Sequence, residues 1–235
     1  MTHSPPIRSV IFDLDGTLHD RALSVLDFAK QQHARLGLFQ FVQKEDWVSR
    51  FVELDADGLV WKDQVYQVLA AEISIPYSWQ ALLADYEANF PLHARLYPEA
   101  AETLSILKSR GLALGIITNG RTIFQQSVIK ALGLDTIFDA ILISEMEGIR
   151  KPEAEIFIRA LQRLGVAEKE AIFVGDSPSA DVVGAKNAGI YAVWKRNRPS
   201  LVLSENSNYI IDSLAEIVSM PRLNENVQSL PEYYS

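Results

Sequence analysis

The alternation of two kinds of segment between residues 98 and 194 constrains the fold most. Short apolar runs rich in β-branched residues recur there, and each is followed by a stretch whose apolar residues repeat at helical spacing. The predicted strands are Val10–Phe12, Ala113–Thr118, Ala140–Ser144, Ala171–Gly175 and Tyr191–Trp194. The predicted helices between them include Phe124–Leu132 and Glu153–Leu164. This order predicts an α/β fold, a doubly wound, Rossmann-like parallel sheet covered by helices.

The segment between the first predicted strand and residue 96 has a different pattern. Val25 and Ala29, and later Val65 and Leu69, repeat at helical spacing, and no β-prone run interrupts them. We therefore expect an inserted α-helical cap at residues 19–95 and a catalytic core at residues 1–18 and 96–220. The polar end of the chain, residues 221–235, shows no periodicity and is expected to be a loosely held tail.

The composition excludes several classes of function. The chain has no cysteine, so disulfides, thiolate metal ligands and thiol catalysis are excluded. The net charge of −8, with no basic block longer than Lys195, Arg196 and Arg198, argues against nucleic acid as a partner. No run of about 18 apolar residues could span a membrane, and the first residues do not resemble a secretion signal. We expect a cytoplasmic protein, and the sequence leaves open whether it is a monomer or a homodimer.

Polar residues gather at the carboxyl ends of the predicted strands. In an open parallel sheet, the loops at these ends meet in one crevice, so residues far apart in sequence come together. The polar residues placed in this way are Asp13, Asp15, Thr118, Asn119, Lys151, Asp176 and Asp181. Carboxylates that share a crevice repel each other unless a cation joins them, and a set of oxygen ligands favours a hard ion such as Mg²⁺. The pattern therefore predicts a magnesium site.

The same residues form four motifs in a fixed order. They are DxDGT at residues 13–17, Thr-Asn at 118–119, Lys-Pro at 151–152 and GDSPxxD at 175–181. Together they resemble the haloacid dehalogenase-like superfamily, in its phosphatase branch with an inserted helical cap. The resemblance covers the whole chain except the cap and the tail. It implies a Mg²⁺-dependent phosphatase that hydrolyses a small phosphate monoester through a phospho-aspartate intermediate.

The resemblance also implies roles for the residues of the first two motifs. Asp13 would be the nucleophile that attacks phosphorus and also a metal ligand. Asp15 would protonate the leaving oxygen and then deprotonate the attacking water, while its backbone carbonyl helps to hold Mg²⁺. Thr118 and the Asn119 amide would bind the phosphoryl oxygens.

The last two motifs supply charge and metal ligands in the same resemblance. Lys151 would bind phosphate and offset the charge of Asp13 and of the transferring group. Asp176 would be a direct metal ligand. Asp181 would hold the metal's water shell or orient Lys151. As an alternative, Asp181 would be only a partner of a helix dipole.

Other functions fit part of the pattern. Asp15 favours phosphoryl transfer over dehalogenation, because a departing halide needs no proton. Phosphomutases of the same superfamily share all four motifs and remain an alternative. From a different class, a non-catalytic receiver-like phospho-switch also combines an acidic pocket, Mg²⁺, a threonine and a lysine, but Asp15 would hydrolyse its phospho-aspartate.

The cap is expected to determine the substrate. A second DxDG, at residues 55–58, has no preceding strand and predicts a polar turn between cap helices. Just after it, Trp61 would stack on a base or sugar, or pack inside the cap, and Lys62 would meet a second anionic group. The TNG sequence and Gln125 resemble nucleotidase-like members, which favours a nucleoside monophosphate over phosphoglycolate or a sugar phosphate.

Overall fold

A computed structural model describes residues 5–197 and 207–224 of the chain. Within these residues, six parallel strands form one sheet in the order β3-β2-β1-β4-β5-β6. The strands are β1 (Ser9–Phe12), β2 (Ala113–Thr118), β3 (Ala140–Ile143), β4 (Ala171–Gly175), β5 (Tyr191–Lys195) and β6 (Tyr209–Ile211). The strand order winds away from β1 in both directions, which confirms the predicted doubly wound α/β fold.

The strands in the centre of the sheet explain why the apolar runs were easy to detect. All residues of β1 and β4 are buried, because helices and neighbouring strands cover them, so apart from Ser9 these strands are continuous apolar runs. The register places Phe12 beside Ile116 and Val174, so the loops after β1 and β4 begin next to each other. The edge strand β6 was not predicted. It has three residues, and of these only Ile211 is fully buried.

The described residues divide into two compact units, residues 20–95 and residues 5–19 with 96–197 and 207–224. The first of these contains α1 (Arg21–Arg35), α2 (Lys44–Asp55), α3 (Lys62–Glu72) and α4 (Trp79–Asn89). Its core is aromatic: the Phe28 ring lies 5.1 Å from that of Tyr86 and 6.2 Å from that of Phe51. The second DxDG forms the predicted turn between α2 and α3.

The other unit contains the sheet and the remaining helices. These are α5 (Ala100–Ser109), α6 (Thr122–Ala131), α7 (Ser144–Glu147), α8 (Ala154–Leu164), α9 (Val183–Asn187) and α10 (Pro221–Asn224). Helix α8 packs on β2 and β3, and Phe157 from its buried face contacts Phe173 of β4 edge to face at 5.0 Å. Gly165 ends α8 in the left-handed conformation, with φ of 66°.

The start of the predicted tail differs from the expectation. Residues 221–224 form a helical turn in which Leu223 is buried, and Arg222 donates hydrogen bonds to the Pro5 and Lys169 carbonyl oxygens. The prediction of a loosely held tail is therefore wrong for these four residues, because one buried leucine and one arginine attach them to the core. The rest of the predicted tail lies outside the described residues. None of the helices within the described part is long and apolar enough to cross a membrane.

Candidate active site

The loop after β1 holds Asp13 at the carboxyl end of the sheet. The Asp13 N–H donates to the Val174 carbonyl at 2.9 Å, which extends the pairing of β1 with β4 by one residue. One carboxylate oxygen accepts a hydrogen bond from Thr17 Oγ1 at 3.1 Å. Between Asp13 and Thr17, Gly16 adopts a φ of 86°, and a Cβ at this position would overlap the Asp176 carboxylate. The glycine of DxDGT therefore allows the loops after β1 and β4 to approach closely.

Lys151 connects two of the four motif carboxylates, Asp13 and Asp181. Its ammonium lies 2.6 Å from Asp13 Oδ1 and 2.7 Å from Asp181 Oδ1, and all three side chains are buried. The Asn119 side chain fixes the backbone of this lysine: it donates to the Lys151 carbonyl at 3.0 Å and accepts from the Lys151 N–H at 2.9 Å. The peptide bond from Lys151 to Pro152 is cis. Because the Asn119 side chain is engaged in this way, its backbone N–H is the group left for the predicted phosphate contact.

Asp176 and Asp181 complete an acidic cluster with Asp13. One carboxylate oxygen from each residue lies within 4.8 Å of the others. Asp181 Oδ2 also accepts from the Ser177 N–H at 2.9 Å, so Asp181 both caps its own turn and contacts Lys151. The role of Asp181 in the site stays a prediction, which the contact with Lys151 supports.

Burial and the mutual charges of the side chains together set the pKa values in this cluster. Burial raises the pKa of Asp13 well above its ordinary value, and the neighbouring carboxylates of Asp181 and Asp176 add to the effect while Lys151 opposes it. Burial and the Asp181 carboxylate likewise raise the pKa of Asp176 to about 7. For Lys151, burial alone would lower the pKa, but the carboxylates of Asp13 and Asp181 raise it overall.

The donor set of the cluster fits a hard divalent cation. Three carboxylates face one ammonium, which leaves two negative charges when all three are ionised. The ligands are all oxygen atoms, as Mg²⁺ requires. A cation at this place would offset the repulsion that raises the pKa of Asp13 and Asp176.

A separate hydrogen-bond network holds Asp15. His19 Nδ1 lies 2.7 Å from Asp15 Oδ1, and Gln125 Nε2 donates to Asp15 Oδ2 at 2.8 Å. The same Gln125 amide also lies 3.0 Å from Thr118 Oγ1. His19 and Gln125 are buried, so this network fixes the Asp15 carboxylate next to the predicted phosphate-binding threonine.

Sequence reasoning missed part of this site. It did not assign a role to His19, and it noted Gln125 only as a point of resemblance. The available signals were the spacing of four residues between Asp15 and His19, and a polar residue on the buried face of α6. In the longest basic block of the sequence, Lys195 is buried and Arg196 pairs with Asp212, while Arg198 lies outside the described residues.

The predicted specificity residues lie in the unit of residues 20–95. Trp61 precedes α3 and is about half exposed. Lys62 forms an ion pair with Asp55, which also accepts two hydrogen bonds of 2.7 Å from the Arg21 guanidinium. The Lys62 ammonium is therefore already paired within its own unit. The substrate roles of Trp61 and Lys62 stay predictions.

Comparison with known proteins defines the class. The chain belongs to the haloacid dehalogenase-like hydrolases, whose family model matches residues 7–189. It is 31% identical over 225 residues to the glyceraldehyde 3-phosphate phosphatase of Pyrococcus furiosus, covering 91% of this chain and 92% of the relative. It is 29% identical over 194 residues to the phosphoglycolate phosphatase of Agrobacterium fabrum, covering 82% of each chain.

A solved structure agrees with these relatives. The crystal structure of a haloacid dehalogenase-like phosphatase from Thermococcus onnurineus superposes with a TM-score of 0.66 at 30% identity, covering 91% of this chain and 97% of that one. The chain is therefore a phosphatase that acts on phosphomonoesters. Membership of this family excludes the receiver-like switch.

Proposed function

We propose that this phosphatase hydrolyses a small phosphate monoester in a Mg²⁺-dependent reaction, with a phosphoryl group carried on Asp13. The observation that carries the proposal is the buried contact of Lys151 with both Asp13 and Asp181. An ammonium held between two carboxylates stays charged, and it can offset the negative charge of an incoming phosphate. Mg²⁺ held by Asp13, Asp176 and the backbone carbonyl of Asp15 would supply further neutralisation of the phosphoryl oxygens.

The first half-reaction transfers the phosphoryl group to the protein. A carboxylate oxygen of Asp13 forms a bond to phosphorus while the bond from phosphorus to the leaving oxygen breaks. The proton that the leaving oxygen needs comes from the carboxyl group of Asp15. His19 and Gln125 support this role, because their hydrogen bonds fix the direction of the Asp15 carboxyl group.

The second half-reaction releases phosphate. Water attacks the phosphorus of the acyl phosphate, Asp15 accepts the proton of that water, and the bond from phosphorus to Asp13 breaks. Inorganic phosphate leaves and both carboxyl groups return to their starting states. The Thr118 hydroxyl and the backbone N–H of Asn119 would bind phosphoryl oxygens in both steps. Asp181 orients Lys151 throughout by the contact already described.

The unit of residues 20–95 is proposed to act as the substrate-selecting cap, within the domain scheme that the sequence predicts. Trp61 is the stronger candidate for a substrate contact, because about half of its surface is exposed, whereas Lys62 is paired with Asp55. Exchanging Trp61 for alanine is expected to change the ranking of substrates more than the rate on a small aryl phosphate. An equal loss on every substrate would instead indicate that Trp61 packs within its own unit.

Two substrate types are candidates. The TNG sequence and Gln125 favour a nucleoside monophosphate. The relatives named for glyceraldehyde 3-phosphate and phosphoglycolate favour a short phosphorylated aldehyde or acid. A panel of both types, with release of inorganic phosphate as the readout, distinguishes them and also separates hydrolysis from the phosphomutase alternative. The cytoplasmic location stays a prediction from the sequence.

Metal dependence is tested on the same panel. Activity should require Mg²⁺, be lost in excess EDTA and return on addition of Mg²⁺, with Ca²⁺ a poor substitute because its larger coordination shell is looser. Asp176→Ala should raise the Mg²⁺ concentration needed for half-maximal activity. Full activity of the wild-type protein in excess EDTA would contradict the proposal.

A further inference from the structure

A second buried lysine lies next to the site and has no part in the proposed chemistry. Lys195, the last residue of β5, is 3% exposed. Its ammonium donates to the Gly16 carbonyl at 3.1 Å and to Asn197 Oδ1, and it lies 3.5 Å from the centre of the Tyr97 ring. Burying an ammonium is unfavourable unless such partners surround it. Lys195 therefore buries a positive charge beside the loop after β1.

Asn197 connects this lysine to the acidic cluster. Its Nδ2 donates to the Gly16 carbonyl at 2.7 Å and to Asp176 Oδ2 at 2.9 Å. Its Oδ1 accepts from the Lys195 ammonium and from the Tyr97 hydroxyl, the latter at 3.2 Å. Because Gly16 and Asp176 supply acceptors and Lys195 and Tyr97 supply donors, only one orientation of the Asn197 amide fits.

These contacts bind two loops to each other. Gly16 belongs to the loop after β1, and Asp176 follows β4. A Cβ at Gly16 would overlap the Asp176 carboxylate, so the two loops already touch. The Asn197 amide nitrogen donates to both loops, and the amide oxygen accepts hydrogen bonds from Lys195 and Tyr97. Tyr97 is itself anchored, because its N–H donates to the Leu18 carbonyl at 2.9 Å.

We propose that Lys195 and Asn197 are positioning residues, which fix the Asp176 carboxylate relative to Asp13 and thereby set the affinity of the acidic cluster for a divalent cation. The inference rests on the proposed metal dependence. Groups that orient a metal ligand typically change metal affinity by about 10- to 100-fold when they are removed. Simple charge repulsion predicts the opposite sign for Lys195, since removing a nearby cation would tighten cation binding.

The test measures cation binding without substrate. Mg²⁺ titration by calorimetry, and Mn²⁺ titration by electron paramagnetic resonance, would be applied to Asn197→Ala, Lys195→Met and a control, Arg196→Met. The control removes one positive charge from the adjacent position, where Arg196 pairs with Asp212 instead. Thermal unfolding in EDTA reports whether each variant is folded. Asn197→Ala replaces an exposed side chain and should melt close to wild type.

We expect both test variants to bind Mg²⁺ about 10- to 100-fold more weakly, and the control to bind as wild type does. Raising the Mg²⁺ concentration should restore kcat in Asn197→Ala. Wild-type affinity in Asn197→Ala, or tighter binding in Lys195→Met, would overturn the inference while leaving the proposed function intact. A wild-type protein that binds neither cation would overturn the proposed metal dependence, and this inference with it.

Discussion

At the residue scale, different side chains position the proposed nucleophile and the proposed acid. Lys151 and Thr17 each hold a different carboxylate oxygen of Asp13, so the side chain is fixed before substrate arrives. A fixed anion next to a fixed ammonium is the arrangement that phosphoryl transfer to a carboxylate needs. The Asp15 carboxylate is fixed separately, by His19 and Gln125. Nucleophile and acid are therefore positioned by different residues and can be tested independently.

Asp13→Asn should abolish turnover and leave the fold intact. The amide has nearly the same shape as the carboxylate, but it is a poor nucleophile and cannot form the acyl phosphate. Steady-state kinetics on the best substrate of the panel, together with circular dichroism, measure both properties. A variant that keeps a tenth of wild-type turnover, a loss of only about 1.4 kcal/mol, would be incompatible with a nucleophile.

Gln125→Met should slow the hydrolysis of alkyl phosphates by about 10- to 100-fold and that of p-nitrophenyl phosphate by much less. Methionine fills a similar volume but donates no hydrogen bond to Asp15, so proton donation to the leaving oxygen suffers. A nitrophenolate leaves without that proton. The measurement is kcat/KM on the two substrates under conditions where the first transfer limits the rate. Equal losses on both would show that Gln125 supports the structure without orienting the acid.

At the scale of elements, a buried ion cluster ties α1 to the segment between α2 and α3. Asp55, the last residue of α2, pairs with Arg21 of α1 and with Lys62 at the start of α3. Burial alone would raise the pKa of Asp55, but the hydrogen bonds and charge of Arg21, together with Lys62, lower it overall. Removing this carboxylate takes away the ion-pair partner that Arg21 and Lys62 share.

Asp55→Asn should destabilise the protein by about 3–5 kcal/mol near neutral pH. Because the pKa of Asp55 is lower in the folded than in the unfolded state, its stabilisation is complete above the unfolded value of about 3.9. It is lost as the pH falls through the folded value. The difference in melting temperature from wild type should therefore be constant above about pH 5 and shrink in stronger acid. Asp46→Asn, an exposed position in the first turn of α2, is the control. A difference that does not change with pH would contradict the charge pairing.

The elements also show what the sequence could and could not predict. The bounds of β2 and β4 follow from continuous apolar runs, and those strands end at the predicted residues. The short strand β6 was missed, because three residues, of which only one is fully buried, carry no periodic signal. The four motifs identified the polar side chains at the strand ends. The contacts of Lys195 and Asn119 could not be predicted, since their partners come from loops that meet only in the folded sheet.

At the scale of the whole molecule, the chain has an excess of negative charge, and part of that charge is concentrated in one cluster. The chain carries a net charge of −8, and three of its carboxylates share one buried cluster. Repulsion within that cluster opposes folding when no cation is bound. Binding of a cation to the folded state should therefore raise the free energy of unfolding.

Mg²⁺ should raise the melting temperature of the wild-type protein. At a concentration of 100 times Kd, binding to the folded state alone adds about 2.7 kcal/mol to the free energy of unfolding. The control is sodium chloride at equal ionic strength, which screens surface charge without binding the cluster. Asp176→Ala should lose most of the Mg²⁺ effect. A shift of the same size in Asp176→Ala would place the stabilising cation elsewhere.

The proposed mechanism requires a phosphoryl group on Asp13, which a variant of Asp15 should accumulate. In Asp15→Ala, p-nitrophenyl phosphate should still transfer its phosphoryl group to Asp13, because nitrophenolate leaves without an acid, while hydrolysis of the acyl phosphate lacks its base. Rapid acid quench and peptide mass spectrometry should then find the added phosphoryl mass on the peptide that contains Asp13, after a burst of nitrophenolate. Turnover as fast as wild type, or an inactive folded variant with no phosphopeptide, would contradict the proposed mechanism through a phosphorylated Asp13.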